Sequence, residues 1–141
     1  MTSIDVSQAL YAVESVIAGQ LASQELPAPR TLGRDEWPPN YPRVWAWRRQ
    51  QLAAFERDPG LLESAKAWYF GRDLIRAGST DPAAWASRCC AFINHWLDTY
   101  DPRNAGKPGM SVRMPFVLFE RQEELVEFVI TCMMADASGL A

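Results

Sequence analysis

The residue types that could do chemistry are few and widely spaced. His95 is the single histidine of the 141-residue chain, so a Ser–His or Cys–His pair has one base to draw on. It stands beside Trp96 in a helical stretch, where a packed or capping histidine is expected. Cys89, Cys90 and Cys132 make three cysteines. A zinc site needs about four ligands, and adjacent cysteines on a helix point about 100° apart, which disfavours a Cys89–Cys90 bridge. All three are expected in the core or at its boundary, and their odd number fits a reducing cytoplasm. The carboxylates are spread over helix surfaces. Glu123, Glu124 and Glu127 form an acidic face of the solvated kind. Asp98 and Asp101 flank a loop, where they cap, turn the chain or take a cation. A GxxxxGK[ST] phosphate loop is missing: Gly106-Lys107 is followed by Pro108 and lacks the earlier glycine. Neither a GxSxG elbow nor HExxH occurs. The residues by themselves assign no catalytic group and no metal ligand.

The stretch with most chemical content is 114–128, MPFVLFERQEELVEF. A short apolar run, Phe116 to Phe119, leads into an acidic amphipathic helix with Arg121-Gln122 at the joint. Gln122 has two readings. In a first helical turn a glutamine can cap its own helix. A glutamine amide also offers one donor and one acceptor, which match the N6 and N7 edge of adenine.

The elements that must position this joint are helical. The pattern Leu10, Val13, Val16, Ile17, Leu21 predicts a first helix over 4–23, capped by Ser3. Residues 27–42 hold five prolines in sixteen positions, which predicts a linker or extended arm. Helices follow over 43–57, about 60–77, 82–98 and 120–135. Asp58-Pro59 and Asp81-Pro82 are start signals, with a polar cap and proline at the first helical position. Gly71 falls inside the third of these five helices at a cost of about 1 kcal/mol relative to alanine, and Gly78 is its C-cap. Trp85, Cys89, Phe92 and Trp96 mark a stripe on the fourth, and Leu125, Phe128, Val129 and Cys132 one on the fifth. Asp101-Pro102-Arg103-Asn104 reads as a turn, and 116–119 as a short extended segment. The core is expected to gather Trp68, Trp85, Phe92, Trp96, Leu125 and Phe128. The fold class is therefore mainly α, four to five helices with a Pro-rich arm. Its divisions are an N-terminal helix (1–26), a linker (27–42) and a helical domain (43–141).

Length fits one domain. The net charge of −3 provides no global field for nucleic acid; Arg43, Arg48 and Arg49 are the closest basic cluster, expected as solvated surface. No apolar run long enough to span a membrane occurs, and the N-terminus lacks the basic-then-apolar order of a secretion signal. A cytoplasmic protein is expected. Exposed Trp37, Trp45 and Trp47 would mark a docking surface; buried, they belong to the core.

Two stretches together carry a resemblance. Phe92-Ile93-Asn94-His95-Trp96 running to Tyr100-Asp101-Pro102-Arg103-Asn104 is followed by Met114-Pro115-Phe116-Val117-Leu118-Phe119-Glu120-Arg121-Gln122. In this order and separation they resemble the N-terminal part of the large terminase subunit of tailed bacteriophages, nearest to the Mu-like branch. The pattern extends over roughly residues 43–140 and rests on about 25 positions. The resemblance implies the helical N-terminal part of a RecA-like ATPase that drives DNA into a prohead. It makes Gln122 an adenine-recognition residue, with Phe119 against the base and Arg121 stacking or near the phosphates. It implies ATP as cofactor, held with a Walker A part that follows in the family. The partners implied are the remainder of the motor, the portal or the small terminase subunit, with DNA met only indirectly. This chain departs from the family at Ser138-Gly139-Leu140-Ala141, about where the Walker A strand begins. It carries no phosphate loop, Walker B acid or nuclease carboxylates, so it would contribute to an ATPase without hydrolysing ATP alone. Two other readings stand beside this one: a stand-alone interaction module, with a homo-oligomer if the first helix has a free apolar face, and a helical DNA-binding protein.

Overall fold

The computed structural model describes residues 25–109 and 111–137. The expected helix over 4–23 lies outside them. Within the described residues the chain is mainly helical, with five α-helices and one two-stranded ribbon.

Helix α1, Tyr41–Arg57, begins two residues before its expected start. Asn40 caps it by accepting the Arg43 amide at 3.1 Å, and Pro42 falls in the first turn, where its missing N–H costs nothing. Helix α2, Pro59–Tyr69, starts as the sequence indicates, with Asp58 accepting the Gly60 amide at 3.0 Å. The continuous helix expected to residue 77 is instead two. Gly71 has φ +68°, a left-handed conformation that ends α2, and a short α3, Arg72–Arg76, follows. A Cβ on Gly71 would lie 2.5 Å from Cζ3 of Trp85. Both the turn and the indole therefore require glycine here.

Helix α4, Pro82–Trp96, is capped by Asp81 through the Ala83 amide at 3.1 Å. It stops two residues short of the expected end. Leu97 is extended, and Asp98–Tyr100 (β1) pairs antiparallel with Arg113–Pro115 (β2), Thr99 opposite Met114. Helix α5, Glu120–Ala137, then runs back along α4.

The core differs from the expected aromatic one. Its buried apolar residues are Leu26, Val44, Ala46, Trp47, Ala86, Cys90, Val117 and Leu118. Trp85 and Trp96 are half-buried, whereas Trp68, Phe92, Leu125 and Phe128 are exposed. The reason is geometric. Small residues of α1 and α4 (Ala46, Ala86, Cys90) fill buried positions, and of the large rings Trp47 alone joins Leu26 and Ala46 in the buried cluster, with Trp96 packed against it. On α5 the half-buried positions are Gln122, Glu123, Val126, Ile130 and Met134, the apolar three on one face at i, i+4, i+8, so the stripe at Leu125, Phe128, Val129 and Cys132 faces outward. Cys132 is accordingly exposed, not at a core boundary, while Cys89 is half-buried and Cys90 buried.

The Pro-rich stretch lies along the helices. Leu26 packs with Ala46, Trp47 and Trp96, Pro39 is buried, and Leu32 bridges in parallel to Phe119, its amide donating to the Leu118 carbonyl at 2.9 Å.

Candidate functional site

The 116–119 segment is held from three sides. The Phe116 amide donates to the Leu97 carbonyl at 2.8 Å, continuing the ribbon past β2. Asn94 Oδ1 accepts the Leu118 amide at 2.7 Å, and its Nδ2 donates to Thr31 Oγ1 at 3.0 Å. Asn94 is only 2% exposed. One buried amide thus ties α4, the arm and the 116–119 segment together, and its bond from the Leu118 amide satisfies a buried donor. This contact also joins the two stretches that carry the family resemblance. Leu118, likewise 2% exposed, contributes about 2 kcal/mol by burial.

Beneath the corner is a second clamp. Arg48 is buried and donates to the carbonyls of His95 and Leu97, the latter at 2.7 Å, and pairs with Asp98. It supplies donors to the last carbonyls of α4, which have no partner within the helix. Asp98 also meets Arg113 at 3.2 Å. Of the basic cluster read from the sequence, Arg43 and Arg49 are exposed and Arg48 is internal, so the three do not form one patch. Asp101 pairs with Arg103 at 2.9 Å and accepts its amide, a turn-closing role; the Arg103 guanidinium holds its carboxyl below the usual carboxylate range.

His95 is packed, as its position beside Trp96 indicates. Tyr69 Oη meets its Nδ1, and Trp96 Nε1 donates to the same phenol oxygen at 2.9 Å. The Pro29 carbonyl lies at the imidazole as acceptor, so the ring proton faces Pro29 and Nδ1 accepts from Tyr69. Burial lowers the His95 pKa to about 4, against the pull of the Pro29 carbonyl and with Arg48 adding to the fall. A neutral imidazole with both nitrogens engaged fixes the arm to α4; it is not poised as a base.

The corner itself holds the three residues singled out from the sequence. Phe119 is the N-cap of α5; the Gln122 and Glu123 amides donate to its carbonyl at 2.9 and 3.1 Å. Gln122 Oε1 reaches back to accept the Phe119 amide at 3.2 Å, the reciprocal half of a capping box. The Phe119 ring is 39% exposed and meets Trp37, 54% exposed, edge to face at 6.1 Å and 78°. Arg121 projects from the first turn of α5 and is exposed. The structure therefore brings Phe119 and Gln122 into direct contact and adds a ring, Trp37, whose proximity was not legible: it comes from the arm, 82 residues earlier in the chain. Of the three tryptophans posed as surface or core, Trp37 is exposed, Trp45 half-buried and Trp47 buried. Trp45 is covered on one face by the Arg48 guanidinium at 5.1 Å.

Among the described residues no three His, Cys, Asp or Glu side chains gather as a metal site, and no helix is long and apolar enough to cross a membrane. No family model, curated protein or solved structure matches the chain.

Proposed function

We propose that the chain is the N-terminal helical region of a phage DNA-packaging terminase large subunit, acting in the cytoplasm of a bacterial host. In this reading the 119–122 corner contacts the adenine of ATP, and phosphate binding and hydrolysis belong to the rest of the motor. The observation that carries the proposal is the construction of that corner. Gln122 spends one lone pair of Oε1 on the Phe119 amide and keeps a second lone pair and its NH₂, enough to face an adenine edge. Beside it stand two exposed rings, Phe119 and Trp37, against which a base can lie. Arg121 adds a positive charge at a helix N-terminus, where anions are favoured. The residues present fit contact to a base and do not build a phosphate cradle, so ATP chemistry is assigned to the remainder of the motor.

The same reading gives the outward stripe of α5 a use. Leu125, Phe128, Val129 and Met133 are exposed on one helix, Phe128 at 66% and Met133 at 63%. A row of this kind on an amphipathic helix is a docking surface, here toward the rest of the motor, the portal or the small subunit. That surface alone also serves a stand-alone interaction module. The DNA-binding reading loses its basic cluster with Arg48 turned inward.

Reconstitution separates the terminase reading from the interaction module. The chain is mixed with the phosphate-loop-containing part of a Mu-like terminase, and ATP turnover and association are measured. The proposal expects turnover to depend on this chain and to fall at least tenfold with Gln122→Glu. Association that ignores both nucleotide and Gln122→Glu supports the interaction module instead.

A further inference from the structure

The outer surface of α5 has an order that the capping of its start does not explain. At about 100° per residue, Leu125, Phe128 and Val129 fall within about 100° of one another, and all three are exposed. Glu120, Glu124 and Glu127 fall within about 60° of one another along one border of this stripe, with Glu124 about 40° from Phe128. These carboxylates are exposed too. The helix dipole favours Glu120 in the first turn, but its pull has faded by Glu124 and Glu127. Among the described residues no ion pair engages any of the three. The whole helix holds five carboxylates and a single base, Arg121. An apolar stripe thus runs beside an unneutralised acidic rail.

We infer that this surface receives a basic amphipathic helix of a partner protein. This rests on the docking role given to α5 above and adds the partner's chemistry. The partner's apolar residues, at i, i+3 or i+4 and i+7, lie over Leu125, Phe128 and Val129, and lysines or arginines on one of its flanks face the rail. Charge selects this occupant over others. A second copy of α5 brings five more carboxylates against these five, and like charges across an interface repel. DNA and an anionic membrane surface meet the same repulsion. A purely apolar helix leaves carboxylates at the edge of the contact without a counter-charge. Beyond Val129 the next positions around the helix, Gln122 and Met133, are uncharged. The rail therefore decides which flank of the partner must be basic.

Fluorescence anisotropy with the full chain and two labelled peptides tests this. Each peptide has the 18-residue length of α5 and leucines at helical spacing. One carries lysines along a flank of that stripe, the other glutamates at the same positions. The lysine peptide is expected to bind at least about tenfold more tightly at low salt, and to lose much of that advantage as salt rises. Phe128→Ala, and separately Glu124→Gln with Glu127→Gln, should each weaken it at least about fivefold. Asp35→Asn with Glu56→Gln removes the same charge from exposed sites elsewhere and should leave binding unchanged. Equal affinity for the two peptides, no binding of either, or equal weakening by Asp35→Asn with Glu56→Gln overturns the inference. So does a dimer in sedimentation equilibrium that Phe128→Ala dissociates, which places a second copy on the stripe. The reconstitution described above keeps the two claims apart. Peptide failure with motor association retained overturns the basic-helix inference alone. Peptide binding without motor association contradicts the terminase reading and leaves the basic-helix inference standing.

Discussion

Gln122 Oε1 accepts the backbone amide of Phe119 at 3.2 Å, so one side chain closes the start of α5 and flanks an exposed ring. The two roles can be separated by substitution. A glutamate at 122 keeps an acceptor for the Phe119 amide and adds negative charge where the helix dipole welcomes it, but loses the NH₂ donor. Gln122→Glu is expected to leave stability within about 0.5 kcal/mol of the wild type, whereas Gln122→Ala loses about 0.5–1 kcal/mol. Urea denaturation of the three proteins measures it.

Gly71 backs directly onto the indole of Trp85. Gly71→Ala places a methyl group 2.5 Å from Trp85 Cζ3 on a backbone with φ +68°. It combines a left-handed alanine with overpacking and is expected to cost about 2–4 kcal/mol. Gly78 has nearly the same φ, +62°, but nothing within 4 Å of an added Cβ, so Gly78→Ala should cost only about 1 kcal/mol. Equal losses of thermal stability in the two variants would show that the indole contact contributes nothing.

Arg48 serves the end of α4 from inside the fold. Arg48→Met leaves the His95 and Leu97 carbonyls and the Asp98 carboxylate without their buried partner. A loss of about 3–5 kcal/mol is expected. Arg103→Met, which breaks the exposed pair with Asp101, should change stability by less than about 1 kcal/mol. Chemical denaturation of both checks the contrast.

The neutral His95 gives a pH dependence with a definite sign. Its folded pKa is lowered to about 4, below an unfolded value of about 6.5. Between these values the unfolded chain binds more protons than the folded one, so stability is fully present above about pH 6.5 and is lost as pH falls toward 4. The full shift corresponds to about 3 kcal/mol, reduced to about 2 kcal/mol because the half-buried ring is partly screened by solvent. Urea midpoints measured from pH 7.5 to 4 should fall more steeply for the wild type than for His95→Gln. Parallel slopes would remove His95 as the cause.

Local signals in the sequence were legible where they act locally. Asp58-Pro59 and Asp81-Pro82 start helices because a carboxylate accepts amides two residues on and proline fits the first turn. The helix break at Gly71 was not legible, since the demand for a left-handed residue without a Cβ comes from Trp85 on another helix. Three-residue strands carry too little pattern to read, and β1 and β2 define each other only by pairing. The aromatic stripes misled for a different reason. Size marks what a residue could bury, but Ala46, Ala86 and Cys90 take buried positions, and half the large rings remain at the surface. Of the candidate site, Phe119 and Gln122 were legible from the helix start that they form. Trp37, supplied by the arm, and Asn94, a buried amide indistinguishable in sequence from a surface one, needed the tertiary structure.

Recognition of adenine by the Phe119–Gln122 corner is read out by titrating the isotope-labelled chain with ATP and following the Gln122 side-chain NH₂ and the Trp37 indole N–H by NMR. Because the phosphates find no cradle in these residues, saturation in the millimolar range is predicted. Both resonances should shift with ATP, should stay in place with GTP at equal ionic strength, and the indole shift should vanish in Gln122→Glu. Equal shifts with ATP and GTP, or an indole shift that persists in Gln122→Glu and disappears with added salt, would contradict base recognition at this corner.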